Sequence, residues 1–201
     1  MDLASNGDDP GVVAFYYPQF HQNALNDKLY GAGFTEWNNV QQGIPLFEGH
    51  HQPRVPASDL GYYSLADENV YRQQVDMAKA AGVAGFCFYH YWLTGGRRIL
   101  ERPFEAAVES DVGFPFCLMW ANHDWTMAWR GDPQTLTLEM TYAAQDPADF
   151  IADIADALGD PRYIKIDGRP LLSIYEIDGP PDLSLLIEGL RAAARDQGIG
   201  E

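Results

Sequence analysis

Four short apolar runs, spaced along the chain with helix-like segments between them, constrain the fold more than any other feature of this sequence. They are Val12-Val13-Ala14-Phe15-Tyr16-Tyr17, Val83-Ala84-Gly85-Phe86-Cys87-Phe88-Tyr89, Phe116-Cys117-Leu118-Met119-Trp120 and Leu171-Leu172-Ser173-Ile174-Tyr175. None alternates apolar with polar residues, so each suits a strand covered on both faces, as in a parallel sheet flanked by helices. Helical patterns fall between them. Ser64-Leu65-Ala66-Asp67 resembles a capping box ahead of Val70, Met77, Ala78 and Ala81, with Gly82 as the stop. Asp146-Pro147 reads as an N-cap and first-turn proline before Phe150, Ile151, Ile154, Ala155 and Leu158. Leu183, Leu186, Ile187, Leu190 and Ala194 form a stripe ending near Gly198, whereas Pro103 interrupts the pattern over about 99–109. Asp167-Gly168 predicts a tight turn between extended segments.

This alternation is the mark of an α/β fold. Polar and aromatic residues gather just after the strands: Tyr17-Pro18-Gln19-Phe20-His21, His90-Tyr91-Trp92, Trp120-Ala121-Asn122-His123-Asp124-Trp125 and Tyr175-Glu176. Both (β/α)8 barrels and open doubly wound sheets place chemistry there. The open sheet would favour a glycine-rich phosphate turn after the first strand. Pro18-Gln19 stands there instead, and Gly31-Ala32-Gly33 lacks the rest of that fingerprint. The expected class is therefore a (β/α)8 TIM-barrel type. About four β/α units are present where closure needs eight, and residue 201 falls where a fifth strand would begin. The expectation is an incomplete barrel: a disordered tail over 1–11, then the N-terminal half of a barrel domain over 12–201.

Thirteen Lys+Arg against 29 Asp+Glu leave a net charge of −16, which repels phosphate backbones and argues against a nucleic-acid partner. The longest apolar runs are far too short to span a bilayer, so no membrane insertion is expected. The opening segment is polar and acidic with no apolar core of a signal peptide, and Cys87 and Cys117 make neither a disulfide framework nor a CxxC. These point to a cytoplasmic setting and inert thiols. His50-His51 are adjacent and share no helical face, and neither HExxH nor GxSxG occurs. No metal and no cofactor are expected.

The segment from Pro18 to about Ser64 is long for a βα connection, and long loops in compact domains are usually functional. Trp37, Trp92, Trp120, Trp125 and Trp129 all lie in loops or at strand ends. Aromatic rings beside Asn, Asp, Glu and His suit the apolar faces and hydroxyl rims of sugars; the plainer reading is that they plug a barrel end. Glycoside cleavage needs paired carboxylates. Glu36, Asp124, Glu139 and Glu176 are placed for it, the last two reading more simply as solvated charges. Glu36 and Asp124 are the candidate catalytic residues, their plainer role being hydrogen-bond partner or substrate ligand.

Ala14-Phe15-Tyr16-Tyr17-Pro18-Gln19-Phe20-His21, Gly33-Phe34-Thr35-Glu36-Trp37-Asn38-Asn39-Val40, Pro45-Leu46-Phe47-Glu48-Gly49-His50 and Gln52-Pro53-Arg54-Val55-Pro56 resemble the WbsX-like family, described as glycosyltransferase WbsX or glycoside hydrolase family 99-like proteins. So do Gly85-Phe86-Cys87-Phe88-Tyr89-His90-Tyr91-Trp92, Leu100-Glu101-Arg102-Pro103 and Phe114-Pro115-Phe116-Cys117-Leu118-Met119-Trp120-Ala121-Asn122. The resemblance implies a (β/α)8 barrel acting on glycans, often in bacterial cell-surface polysaccharide synthesis. Family 99 hydrolases cleave internal α-mannosidic bonds without a metal, using two glutamates from a later strand where WbsX-like chains carry an Asn-Glu-Trp type motif. This sequence ends before it, so no catalytic pair is carried over. Where the family often reads Trp-Ala-Asn-Glu-Asn-Trp, this chain has Trp120-Ala121-Asn122-His123-Asp124-Trp125. A non-catalytic glycan-binding remnant and an incomplete gene product are the rival readings.

Tyr17, Glu36, Trp37, His90, Tyr91, Trp92, Trp120, Asn122, Asp124 and Trp125 are thus expected to converge on one mouth that binds a glycan substrate. Open strand edges in a part-barrel also predict self-association.

Overall fold

The computed structural model describes residues 11–127 and 131–200. Apart from Gly11, the tail expected over 1–11 lies outside the described residues, as does Trp129. The chain runs through β1 (Val12–Tyr16), α1 (Ala24–Tyr30), α2 (Glu36–Gln41), α3 (Glu68–Ala80), β2 (Val83–Leu93) and β3 (Arg97–Ile99). It continues through α4 (Arg102–Glu109), β4 (Phe116–Trp120), β5 (Trp125–Met127), β6 (Asp132–Leu138) and α5 (Asp146–Gly159). The last elements are β7 (Lys165–Ile166), β8 (Arg169–Pro170), β9 (Leu172–Ile174) and α6 (Leu183–Asp196).

The four apolar runs become a parallel sheet in the order β1-β2-β4-β9, so the fold is α/β with a parallel sheet, as expected. The end of β2 also carries the short antiparallel β3. Register assigns the two faces. Phe15 lies beside Cys87, Cys87 beside Cys117, Tyr89 beside Met119, and Met119 beside Ser173. These share one face, because successive side chains of a strand alternate. Tyr16, Phe88, Leu118 and Leu172 share the other, together with the pairs Phe86–Phe116 and His90–Trp120.

The second face is the core. Phe88, Leu118 and Trp120 are fully buried. Phe104 of α4 reaches Phe88 and Phe116 at 5.6 and 5.9 Å between centroids, and Phe150 of α5 stacks on Trp120 at 4.4 Å. Arg162 ties α4 to the sheet: its guanidinium donates to the carbonyls of Ala107, Val108, Ser110 and Val112 at 2.6–3.2 Å while Asp160 holds it in place. The last carbonyls of a helix lack internal partners, and a cation there satisfies them.

Several local expectations shift by a few residues. Asp67, not Ser64, caps α3 by accepting the Asn69 N–H, and Met77 faces solvent while Val70, Val75 and Ala78 are buried. Asp146 is the first residue of α5 rather than its cap. Pro103 opens α4 instead of interrupting it, because a first-turn proline lacks only an N–H that would have had no partner. The long segment after β1 holds two short helices, and β5 and β6 form a hairpin not expected from the sequence. At the Asp167-Gly168 turn both residues take positive φ, 51° and 76°, between the antiparallel β7 and β8.

Candidate functional site

The C-terminal ends of β1, β2, β4 and β9 open on one side of the sheet, where an aromatic floor forms. Tyr17 meets Tyr89 edge-on at 5.6 Å, and Tyr89 stacks beside Tyr91 at 6.4 Å. Tyr91 then meets Trp125 at 5.1 Å and His123 at 5.9 Å, and His123 lies 5.2 Å from Tyr175. Tyr175 closes back on Tyr89 at 5.8 Å. Buried Gln19 donates to the Tyr17 hydroxyl at 3.1 Å and accepts from buried Asn26 at 3.2 Å, which fixes the turn after β1. Burial, and next the charge of Glu36, push the Tyr17 pKa up to about 12; burial also pushes up that of Tyr91.

Glu36 begins α2, its backbone N–H donating to Gln19 O at 3.0 Å. Its side chain is buried, and Oε2 has no hydrogen-bond partner. Burial raises its pKa, an effect that the polar Asn39 side chain nearby only partly opposes. Burial of this kind shifts a carboxyl toward its protonated form, the direction a proton donor needs.

Asn122 follows β4 and is completely buried. Its Oδ1 accepts the Glu176 N–H at 2.8 Å and its Nδ2 donates to Glu176 O at 2.7 Å, so the side chain continues the β4–β9 ladder past its last backbone bond. Asp124 is exposed, with Oδ1 accepting the Met140 N–H at 2.7 Å. Between these two strand ends lies a cleft of about 720 Å³ lined by His123, Asp124, Met140, Tyr142, Tyr175, Glu176 and Gly179. Among the described residues, no group of three or more His, Cys, Asp or Glu side chains is placed to hold a metal ion.

Of the ten residues expected at one mouth, Tyr17, Glu36, Tyr91, Asn122, Asp124 and Trp125 gather on this side. Trp37 sits beside them in a cluster of its own, packed on Phe20 at 4.4 Å and donating to Tyr63 O at 2.7 Å, where it pins α2 to the segment before α3. His90, Trp92 and Trp120 lie on the opposite, helix-covered face. Trp120 donates to Trp92 O at 2.8 Å, and His90 faces Asp153 at 3.7 Å beside Phe104 and Phe150. A single mouth containing these three is therefore corrected by strand parity, since His90 and Tyr91 are neighbours in one strand and point opposite ways. Sequence reasoning left Tyr89, Tyr142 and Gly179 out of the mouth, placed Tyr175 after a strand without assigning it to the site, and named Glu176 among the carboxylates while reading it more simply as a solvated charge. Counting alternate residues back from Tyr91 would have found Tyr89. Glu139 is exposed, as expected.

Among the described residues, no helix is long and apolar enough to cross a membrane. An uncharacterized protein WxcX from Xanthomonas campestris pv. campestris (strain B100) is 41% identical over 191 residues, covering 94% of this chain and 27% of the relative. The chain thus spans about a quarter of the length of that relative. Two solved structures of the GH99 endo-alpha-mannosidase of Bacteroides thetaiotaomicron, one in complex with BIS-TRIS-Propane, align at a TM-score of 0.47. They are 18% and 20% identical and cover 84% of this chain and 42% and 46% of theirs. The family model described as glycosyltransferase WbsX matches residues 12–201, and the chain belongs to that family.

Proposed function

We propose that this chain is a glycan-binding portion of a protein that acts on glycosidic bonds, in bacterial cell-surface polysaccharide metabolism. Its strands are the first of a (β/α)8 barrel over 12–201, and its free thiols Cys87 and Cys117 suit a cytoplasmic setting. The observation that carries the reading is the aromatic floor at the C-terminal strand ends with carboxylates at its margin. Aromatic faces match the C–H faces of sugar rings, and the carboxylates accept their hydroxyl protons. Glu36 is buried at one margin, where burial raises its pKa, and Asp124 is exposed at the other. Two carboxyl groups in unlike environments suit acid and base roles in glycosidic chemistry.

Ligand-observed saturation-transfer NMR against a panel of neutral bacterial oligosaccharides tests this. Signal from the wild-type chain that weakens in Tyr175→Ala is the expected result; Tyr175 is 51% exposed, so its loss leaves the core intact. Signal from no oligosaccharide, or signal indifferent to Tyr175→Ala, would overturn the reading.

A further inference from the structure

The chain has two cysteines, and the sheet sets them side by side. Cys87 of β2 and Cys117 of β4 are direct partners in the parallel register, so both side chains stand on the open face. Neighbouring strands run about 4.7–4.9 Å apart, inside the range of roughly 4.4–6.8 Å between Cα atoms that a disulfide spans. The two thiols are within hydrogen-bonding reach of each other. The Cys117 S–H donates to the Cys87 sulfur, which lowers the Cys87 pKa and raises that of Cys117.

Phe15 continues the same row on the edge strand β1, where it is 65% exposed. Cys87 thus lies one strand in from solvent and is 5% exposed, against 1% for Cys117. Two thiols that served only as small packing groups would need no register between them, and burial alone would raise the pKa of both. Here the more accessible thiol is the one held toward its thiolate by the other, the arrangement of an attacking sulfur beside a resolving one.

Side chains stand roughly perpendicular to a sheet, so the two Cβ atoms lie about as far apart as the strands. A disulfide, whose Cβ atoms average about 3.8 Å apart, would draw them in by roughly 1 Å. A bond formed against the sheet in this way is one that small thiols reduce readily. Tyr89 and Met119, paired with each other, come next along the same face, so the closure falls directly beneath the aromatic floor.

We propose that Cys87 and Cys117 are a reversible dithiol–disulfide site whose oxidant is a peroxide, with Cys87 attacking and Cys117 resolving. The Cys87 thiolate attacks one oxygen of hydrogen peroxide: an S–O bond forms, the O–O bond breaks, and the other oxygen leaves as water with the proton Cys87 gave up. The Cys117 sulfur then attacks the Cys87 sulfur. An S–S bond forms, the S–O bond breaks, and the second oxygen leaves as water with the Cys117 proton. Each sulfur has given up one electron and the peroxide has gained two. Two equivalents of a small thiol reverse the change by exchange.

The test treats the full 201-residue chain, folded and reduced, with equimolar hydrogen peroxide and digests it with trypsin in the absence of reductant. Arg97 and Arg98 lie between the cysteines, so the two fall on separate peptides unless they are bonded. Expected are one cross-linked pair of peptides lighter by two hydrogen atoms, loss of both titratable thiols, and return of both with dithiothreitol. Dimedone, which captures sulfenic acid, should label Cys87 in Cys117→Ser and leave the wild type unlabelled, because Cys117 consumes that intermediate first. Cys117 in Cys87→Ser should react with peroxide roughly ten-fold or more slowly than Cys87 in Cys117→Ser. The wild-type peptide map stands by itself if a serine variant fails to fold. Retention of both thiols, gain of oxygen without a cross-link, a cross-link only between two chains, or a wild type labelled by dimedone as fully as Cys117→Ser would each overturn the site. Equal rates in the two variants would overturn the roles assigned to its two sulfurs.

Discussion

Replacing Asn122 by alanine should loosen the mouth at one definable point. The wild-type side chain is fully buried and makes hydrogen bonds of 2.8 and 2.7 Å to the N–H and C=O of Glu176, and a third of 3.0 Å to the Tyr142 hydroxyl. Alanine removes all three and leaves the two Glu176 backbone groups without partners. A buried polar group left unsatisfied costs about 1–3 kcal/mol. Glu176 is only half-buried, so water recovers part of this, and the loss should be about 2–4 kcal/mol. For a chain of this size that corresponds to a fall in melting temperature on the order of 4–16 °C. Calorimetry reads the global effect, and amide hydrogen exchange reads the local one. The Glu176 amide should lose protection selectively, while the Tyr175 amide, which donates to Trp120 O at 3.0 Å, should keep it. A fall of under about 2 °C with Glu176 protection unchanged would refute the ladder-extending role.

Arg162→Ala strips four carbonyl acceptors of their donor and should lower the unfolding free energy from urea titration by about 3 kcal/mol or more, with Arg162→Lys recovering only part because ammonium cannot reproduce the planar fork; equal stabilities for lysine and arginine would count against it. Because burial raises the Glu36 pKa, the folded state retains a proton that the unfolded chain has released, so this group's contribution to stability falls as pH rises from the ordinary glutamate value of 4.5 through the folded pKa. Glu36→Gln should therefore melt higher than wild type at neutral pH and alike at or below about pH 4, and parallel melting curves across that range would exclude it. The edges of β1 and β9, which pair with no further strand among the described residues, the 65% exposed Phe15 and an apolar groove of about 580 Å³ beside β9 and α6 should make the chain associate with rising concentration in light scattering; a monodisperse monomer with a sharp cooperative transition would show that these surfaces need no cover.

All four members of the parallel sheet were legible as continuous apolar runs, although only β2 and β4 are buried along most of their length while β1 and β9 keep exposed or half-buried residues. Helices α5 and α6 were legible from stripes that the structure buries, such as Phe150, Ile151, Ile154, Leu186 and Leu190. Short or irregular elements were not. Helices α1 and α2 have seven and six residues, too few to show a period, and are held by local bonds such as Asn23 Oδ1 to the Asn26 N–H and Asn38 Oδ1 to the Thr35 N–H. The β5–β6 hairpin breaks its register twice, so its side chains never show a clean alternation.

The site was half legible, for a reason rooted in the same continuous runs. In a one-sided strand, polar residues mark the solvent face, and every neighbouring side chain can be assigned from them. In β2 no residue plays that part: Phe86, Phe88, His90 and Trp92 are as aromatic as Tyr89 and Tyr91, so composition cannot separate them. Position after a strand brought His90, Trp92 and Trp120 into the expected mouth together with Tyr91 and Asn122. Only pairing divides them, because Phe15 lies beside Cys87 and Tyr89 beside Met119, setting the odd-numbered residues of β2 on the open face. Hydrogen-bonding chemistry marks the same division within β2. In β2 the open face carries Tyr89 and Tyr91 and the helix-covered face Phe86, Phe88, His90 and Trp92, whereas β1 reverses the pattern, with Phe15 on the open face and Tyr16 on the covered one, its hydroxyl donating to Gln74 at 2.6 Å. Tyrosine against phenylalanine is thus a sign of parity in β2, where both faces are covered, and not in the edge strand β1, since a ring at a wet or polar margin keeps an oxygen there only where the rest of its face is packed.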